Sequence, residues 1–442
     1  MSLKNKKNIQ YITDNALCTA CGGCSGICPA NAISIETNTA GYIVVNIDFD
    51  KCISCEKCYH ICPSVRDNTP KMDNVDIFHG EYIEGYVGYA TDNEIRQKSQ
   101  SGGIVTALLC YLLDKNEIDG AIVNRFSKQT KRPEVIFEDS KIGIQESSGS
   151  YYSQSSVVSE VLKHQDKKTV AVVLGCQGES INLIRKRFPK TVLPKYLIGL
   201  ICAGQHSGNY INQLIKEAGC NRHKVTKFRF RDKSAGGWPG NIKIYTDRNN
   251  YVLDKKIRHT LKPVYEAHRC LYCFDQMNIF TDITVGDPWG ITNRAEKEGN
   301  TVIIARTEKG KALIENACRD GVIDVEKLSV DNIIKGQTVD NRLKTQFFTS
   351  MSLAKEKGYS VPYKLDLFKH ISYEKATKKK YNSIKSRLEY SREIYLENDK
   401  EKYKKMISKA CKTVKFKRKI HEIMNFPIGC VGYALRKIKF VK

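Results

Sequence analysis

The sequence predicts a small α+β unit at the N-terminus, a larger α/β body, and a basic, mainly helical C-terminal tail. Three observations carry this division. Two cysteine runs of the same spacing occupy the first 65 residues, and apolar strands alternate with helical stretches from Gly85 onward. The segment from Ile371 to Lys442 then holds 21 Lys and Arg against 7 Asp and Glu. At 442 residues the chain is long enough for more than one core, since an average domain takes roughly 150. With 41% hydrophobic and 27% charged residues, the composition is that of a soluble globular protein. The chain lacks an uninterrupted apolar run of about 18 residues, and no apolar stretch follows the lysines of MSLKNKKNIQ. A cytoplasmic protein without a membrane span or export signal is therefore expected.

The 17 cysteines are closely grouped in a long chain, which favours metal ligation over disulfides. Cys18, Cys21, Cys24 and Cys28 precede Pro29, and Cys52, Cys55, Cys58 and Cys62 precede Pro63. Both runs read C-x2-C-x2-C-x3-C-P. The short spacings let one loop aim three thiolates at a single iron–sulfide cube, while the fourth leaves along a helix toward the other cube. One 4Fe-4S cluster is thus expected on Cys18, Cys21, Cys24 and Cys62, and a second on Cys52, Cys55, Cys58 and Cys28. Gly22, Gly23 and Gly26 are expected to keep side chains clear of the cluster. Between the runs, Ala32 to Ile35 and Gly41 to Val45 read as a short strand pair. Zinc would also take eight cysteines, but zinc ribbons pair separated C-x2-C hairpins and do not use four-cysteine runs ending in Cys-Pro. The segment resembles bacterial ferredoxins along its whole length, so a one-electron donor and acceptor are implied.

A polar linker follows. The body then opens with a strand at Gly85–Ala90 and a nearly all-apolar helix from Ile104, preceded by Ser101-Gly102-Gly103. Free N–H groups and the positive dipole end at such a turn suit a phosphate; a plain helix cap explains the same residues. Further strands are expected at Gly120–Val123, Thr169–Leu174 and Tyr196–Ile201, and buried strands separated by helices argue for an α/β sheet. Cys176 and Cys202 stand just past two of these strands, where ligands collect in open α/β sheets. With the Cys270-x2-Cys273 pair they supply four thiolates, enough for a third 4Fe-4S cluster. Ordinary burial explains Cys176 and Cys202 equally well, because cysteine is often a small core residue. Arg229, Arg231 and Lys233 suit either a phosphate-bearing ligand or a solvated strand face. His206 suits either a proton donor or a loop cap.

Several of these pieces together resemble the beta subunits of coenzyme F420-reducing hydrogenases and dehydrogenases. They are Ser101-Gly102-Gly103 with Thr106, Gly175-Cys176-Gln177, Cys202-Ala203-Gly204, the Phe-Arg-Asp-Lys stretch ending at Trp238, Cys270-x2-Cys273, and the segment Asp282 to Gly290. The resemblance spans about Gly85 to Ala305. It implies a flavoprotein with FAD beside a 4Fe-4S cluster, converting one-electron into two-electron chemistry. FAD contacts are implied at Ser101, Gly102, Gly103 and Thr106, with Asp282 and Asp287 orienting the flavin or a ligand. Cluster ligands are implied at Cys176, Cys202, Cys270 and Cys273. The chain has Val173-Leu174-Gly175-Cys176-Gln177 where the family usually has Gly-Thr-Pro-Cys-Gln.

The resulting expectation is an α+β ferredoxin-like dicluster domain (1–66), a linker (67–80), an α/β flavin-binding domain (81–365) and a basic helical C-terminal region (366–442). The implied function is an iron–sulfur flavoprotein oxidoreductase. It would connect ferredoxin or another electron donor to coenzyme F420 or another small molecule. Related members include a plant enzyme that reduces 7-hydroxymethyl chlorophyll and bacterial proteins tied to surface-polysaccharide synthesis. The competing expectation is a non-catalytic electron-transfer component that feeds a separate hydrogenase or dehydrogenase. In the tail, the apolar segment Phe426–Leu435 with basic flanks suits a membrane surface or a protein partner, while a solvated helical appendage is the simpler alternative. Without a nucleic-acid reading motif, the +24 charge does not point to specific nucleic-acid binding.

Overall fold

The fold is taken from a computed structural model, which describes residues 7–72, 75–234, 236–291 and 297–424. The expected N-terminal strand pair forms: β1 (Ile33–Thr37) and β2 (Ile43–Ile47) run antiparallel with Ile33 opposite Ile47. The body is a mixed sheet of eight strands. In chain order the body strands are β3 (Glu84–Ala90), β4 (Gly120–Phe126), β5 (Pro133–Glu138), β6 (Thr169–Val173), β7 (Tyr196–Leu200), β8 (Val225–Asp232), β9 (Asn241–Thr246), β10 (Asn250–Leu253), β11 (Ile283–Gly286), β12 (Thr301–Ala305) and β13 (Ile323–Lys327). Strands β8 to β10 form a separate three-stranded sheet, and the rest lie in the order β13-β3-β12-β11-β7-β6-β4-β5.

The central strands β4, β6, β7 and β11 are mutually parallel, and antiparallel strands flank them. Parallel strands are covered on both faces, which is why Thr169–Val173 reads as an unbroken apolar run. Their carboxyl ends all point to one edge, where the site is built. The helix Ile104–Asp114 is buried at seven positions, including Ile104, Thr106, Leu108 and Leu112, as its all-round apolarity predicts.

The N-terminal unit is packed into the body. Ile9, Ile12 and Leu17 share one core with Leu271, Phe274, Phe347 and Phe368. The glycines of the first cysteine run serve this contact, a role beyond the expected clearance for a cluster. A Cβ on Gly22 would lie 2.7 Å from the Ser156 Cβ, and one on Gly23 would lie 2.7 Å from the Ser180 Oγ. Gly22 also has φ +81, which L side chains rarely adopt. These positions let the loop lie directly on the helices Val157–Lys163 and Gly175–Arg187.

The tail is docked as well. The helix Lys378–Leu396 buries Ile384, Leu388, Ser391, Ile394 and Tyr395, a helical stripe masked in the sequence by the lysines around it. Arg387 donates to the Glu266 carboxylate at 2.7 and 2.9 Å, and the Asn38 amide donates to the Tyr395 carbonyl at 2.8 Å. The helix Lys400–Met424 follows, and the Phe426–Leu435 segment lies outside the described residues. Among the described residues no helix is long and apolar enough to cross a membrane.

Candidate functional site

The eight N-terminal cysteines sort into two groups that exchange their fourth member. Burial, then the thiols of Cys21, Cys18 and Cys62, push the Cys24 thiol well above its usual range. Burial likewise raises Cys58 to about 11, and its thiol neighbours are Cys55, Cys52 and Cys28. Backbone N–H groups point at two of these sulfurs, from Ala20 to Cys18 and from Ala32 to Cys28, each at 3.3 Å. Buried thiols pointed at by such N–H groups fit a polycationic core, which supplies counter-charge for their thiolate form. Cys58 also neighbours Cys24, so the two groups are adjacent. Cys55 is exposed and Cys18 and Cys21 are buried, so one group faces solvent and the other faces the body.

A third cysteine group forms at the carboxyl edge of the sheet. Cys176 opens the helix Gly175–Arg187 directly after β6, Cys202 follows β7, and Cys270 and Cys273 come from the short helical turn His268–Tyr272. All four line one cavity of about 40 Å³, together with Cys18 and Thr19 of the N-terminal unit. Burial is the main cause that lifts the Cys176 thiol; its thiol neighbours are Cys273, Cys21, Cys270 and Cys202. Gln205 spans the group, its backbone N–H reaching the Cys270 Sγ at 3.3 Å and its side-chain amide the Cys176 Sγ at 3.5 Å. The Gly204 N–H reaches the Cys202 Sγ at 3.5 Å.

On the other side of Cys202, Ala203, Gly204 and Gln205 lies a cleft of about 540 Å³, which those residues also line. Its floor is the carboxyl ends of β6, β7 and β11. Ser101, Gly103 and Thr106 line it. The helix Ile104–Asp114 starts on Gly103 with no side-chain cap, so its first turn opens on the cleft with N–H groups to spare. Gly102 sits behind the wall: its N–H donates to the Thr301 Oγ1 at 2.8 Å, and a Cβ there would lie 2.6 Å from the Gly88 carbonyl.

Asp287 lines the cleft but is already engaged, accepting from Arg231 at 2.8 Å and from the Trp238 indole at 3.2 Å. Asp282 does not reach the cleft, a correction to the expectation. It stands at the amino end of β11, the opposite edge from the floor. There it accepts from the Leu197 N–H and the Thr307 hydroxyl, both at 2.9 Å, and pairs with Lys309 at 3.0 Å.

Arg231 and Lys233 are buried and committed, so neither the free phosphate site nor the solvated face describes them. Arg231 donates to Asp287 and the Pro239 carbonyl, and Lys233 donates to the Ser101 carbonyl at 2.8 Å and the Glu298 carbonyl at 2.6 Å. Burial lowers the Lys233 ammonium to about 8. His206 lines the cleft at 1% exposure, with Nδ1 2.9 Å from the Tyr152 carbonyl and Nε2 without a partner among the described residues. Donation from Nδ1 to that carbonyl leaves Nε2 as a bare acceptor, and burial pushes the imidazole down to about 3. It presents a lone pair to the cleft, so of the two sequence readings the proton donor does not describe it.

That histidine has a consequence for pH. An unfolded histidine binds a proton near pH 6.5, which the folded His206 refuses down to about 3. Its contribution to stability is complete above pH 6.5 and is lost as pH falls through that window. From this group alone, thermal unfolding at pH 5 is expected about 2 °C below that at pH 7, with a shallower slope in His206→Asn. Equal slopes for the two proteins would remove His206 as the cause.

Two residues that spacing alone did not single out lie between the inner N-terminal group and the third group. Arg269 lines the 40 Å³ cavity, donates from Nε to the Ser64 Oγ at 2.7 Å and from Nη2 to the Pro63 carbonyl at 3.3 Å, and donates to the Tyr363 hydroxyl. Its charge bears on Cys18, Cys62, Cys270 and Cys273. Glu179 is buried one turn after Cys176, accepts from the Tyr363 hydroxyl at 3.3 Å, and is raised to about 8 by burial. The available signal was a cation immediately before Cys270. A further grouping, Asp76, His79 and Asp340, already has its cation: Lys344 pairs with Asp340 at 2.7 Å and with Asp76.

The fold and the two N-terminal cysteine groups define an iron–sulfur protein. Residues 17–65 match the 4Fe-4S dicluster domain. Residues 85–163 and 166–331 match the N-terminal and C-terminal parts of the coenzyme F420 hydrogenase/dehydrogenase beta subunit, and the chain belongs to that family. It is 26% identical over 316 residues to a subunit of the F(420)H(2) dehydrogenase of Methanosarcina mazei, covering 69% of this chain and 83% of that one. It is 26% identical to coenzyme F420 hydrogenase subunit beta of Methanothermobacter thermautotrophicus, over 64% of this chain and 99% of that one. To coenzyme F420-dependent sulfite reductase of Methanocaldococcus jannaschii it is 27% identical, over 72% of this chain and 49% of that protein.

Proposed function

We propose that the chain is an iron–sulfur flavoprotein oxidoreductase that passes electrons between its dicluster unit and a two-electron acceptor, through a third 4Fe-4S cluster and FAD. One observation carries this reading. The cavity of Cys176, Cys202, Cys270 and Cys273 touches the dicluster unit at Cys18 and Thr19 and shares the Cys202–Gln205 wall with the 540 Å³ cleft. When bound, iron–sulfur clusters supply one-electron steps and a flavin supplies both one-electron and two-electron steps.

The chain's own residues set the conditions. Gln205 and Gly204 aim N–H groups at three of the four sulfurs, favouring their thiolate form. The uncapped turn at Gly103 suits a diphosphate. Arg231, Asp287 and Trp238 stiffen the far wall, and the bare Nε2 of His206 accepts a hydrogen bond from whatever occupies the cleft.

Coenzyme F420 is the acceptor class favoured by the names of the relatives. Two of those relatives are themselves parts of larger dehydrogenase or hydrogenase assemblies, which favours a second reading, in which the chain only feeds a separate hydrogenase or dehydrogenase. Anaerobic purification followed by iron, sulfide and flavin assays tests the proposal. About twelve irons and one flavin per chain are expected from three four-iron sites. About eight irons and no flavin would reduce the chain to its dicluster unit. Turnover of a deazaflavin by the isolated, reduced chain separates the catalytic reading from the electron-feeding one.

A further inference from the structure

We propose that the solvent-facing end of the dicluster unit is the docking surface for a small, acidic one-electron carrier protein. The surface consists of the Ile53–Lys57 loop and the last turn of the helix Gly175–Arg187. The inference rests on the proposed electron path and names the partner at its other end.

The helix Gly175–Arg187 orders the three cysteine groups along its length. Cys176 at its first turn belongs to the third group. In its middle, the Ser180 hydroxyl donates to the Ile61 carbonyl of the dicluster unit at 3.1 Å. Just past its end, the Phe188 ring lies 5.8 Å from the Lys57 Nζ, beside the outer group. Thirteen residues at 1.5 Å each make a rod of about 20 Å. The outer group is therefore the terminus remote from the cleft.

That terminus is open. Its cavity of about 30 Å³ is lined by Cys28, Cys52, Cys55 and Cys58, with Lys7 and Lys57 at the margin. Cys55 is exposed, and Ile53 beside it is 65% exposed. A large aliphatic side chain held in water next to a cysteine of the outer group suits a small dry contact through which an electron can pass.

The surrounding charge selects the partner. Arg185, Lys186 and Arg187 are all exposed in the last helical turn, and none has an acidic partner among the described residues. Nearby, Asp48 is paired with Lys51 at 3.0 Å, and Glu56 lies 3.8 Å from the His60 ring, so Asp50 and Glu56 are the acids of this loop that no lysine or arginine pairs among the described residues, against the cations Lys7, Lys57, Arg185, Lys186 and Arg187. Cations at a helix C-terminus favour its dipole, but side chains so exposed contribute little to folding and much to steering. A positive rim around an apolar centre is complementary to an acidic carrier. The exchange balances simply: the carrier is oxidised by one electron, the chain is reduced by one, and no bond or proton moves.

The test uses the full chain purified anaerobically and a reduced, acidic [2Fe-2S] ferredoxin as the probe. Stopped-flow bleaching of the chain's iron–sulfur absorbance gives the second-order rate at low and high salt. Surface plasmon resonance with oxidised ferredoxin reads binding without electron transfer. The wild-type rate is expected to fall about tenfold or more from low to high salt. The triple variant Arg185→Glu, Lys186→Glu, Arg187→Glu is expected to be about tenfold slower at low salt, to lose the salt dependence, and to lose binding. Ile53→Glu is expected to weaken binding in the same way without touching the helix. Both variants should keep their iron and be reduced at the wild-type rate by photoexcited deazariboflavin, a small reductant that needs no docking.

Wild-type binding and rate in both variants would overturn the proposal. So would equal slowing by Lys405→Glu, Lys409→Glu, Lys412→Glu on the exposed face of the helix Lys400–Met424, because that would reflect total charge. Absence of flavin or of the third cluster would defeat the functional reading and leave this result standing, since both readouts lie at the dicluster end.

Discussion

Replacement of Arg269 by leucine is expected to destabilise the protein by roughly 2–4 kcal/mol and to shift the redox potentials on both sides of it. Three donated hydrogen bonds disappear at once, to the Ser64 Oγ, the Pro63 carbonyl and the Tyr363 hydroxyl. Ser64 also donates to the Leu17 carbonyl at 2.6 Å, so both chain segments of the inner cysteine group lose a tie to the body. Glu179, raised to about 8, is mainly protonated at neutral pH and does not neutralise the guanidinium. On the proposed reading, cluster-bound thiolates of the inner and third cysteine groups would supply the compensating negative charge.

A buried cation favours the more reduced, more negative state of a neighbouring cluster, and its removal should lower the potentials by on the order of tens of millivolts. Arg269→Lys separates the two effects. Charge is kept, so the potentials should stay close to wild type, while a single ammonium cannot reproduce a fork directed at three acceptors, so stability should still fall. Denaturant titration and potentiometric electron paramagnetic resonance read the two quantities independently. Unchanged potentials in Arg269→Leu would confine the residue to a packing role.

Cys176→Ser is the second large effect. Of the four cysteines in the third group, Cys176 has the dicluster thiol Cys21 among its neighbours, which puts it on the side of the dicluster unit. Its loss is expected to remove about four of about twelve irons and to leave the eight-cysteine unit reducible by dithionite. Turnover at the cleft should drop to background. Cys110→Ser is the control: that thiol is buried in the helix Ile104–Asp114, away from all three groups, and iron content should not change. Full iron retention in Cys176→Ser would refute a cluster in the third cavity.

Legibility in the sequence followed the range of the interactions involved. The eight N-terminal cysteines declare themselves because a cluster loop must be local, and C-x2-C-x2-C is already a geometry. The strands β4, β6 and β7 were equally visible, since burial on both faces forces continuous apolar runs. The edge strands β5 and β13 were not, because Pro133–Glu138 and Ile323–Lys327 leave one side to solvent and carry charge there. The docked face of Lys378–Leu396 was hidden for a related reason: its buried positions are one stripe of a helix whose remainder is Lys, Arg and Glu. Asp282 and Asp287 look alike in the sequence, five residues apart, and they end on opposite edges of the sheet.

What the sequence by itself determined is the chemistry available: two four-cysteine runs, two further cysteines at strand ends with a C-x2-C pair, a Gly-Gly turn before an apolar helix and an excess of positive charge. Only the tertiary structure decided how these are connected. The Gly175–Arg187 helix sets the three cysteine groups in a row, Arg269 pins the inner N-terminal group to the third, and Cys202 to Gln205 form the wall between the third and the cleft. Such connections join residues tens to hundreds of positions apart, where spacing carries no information and the side chains meet only because burial of the shared core brings their elements together.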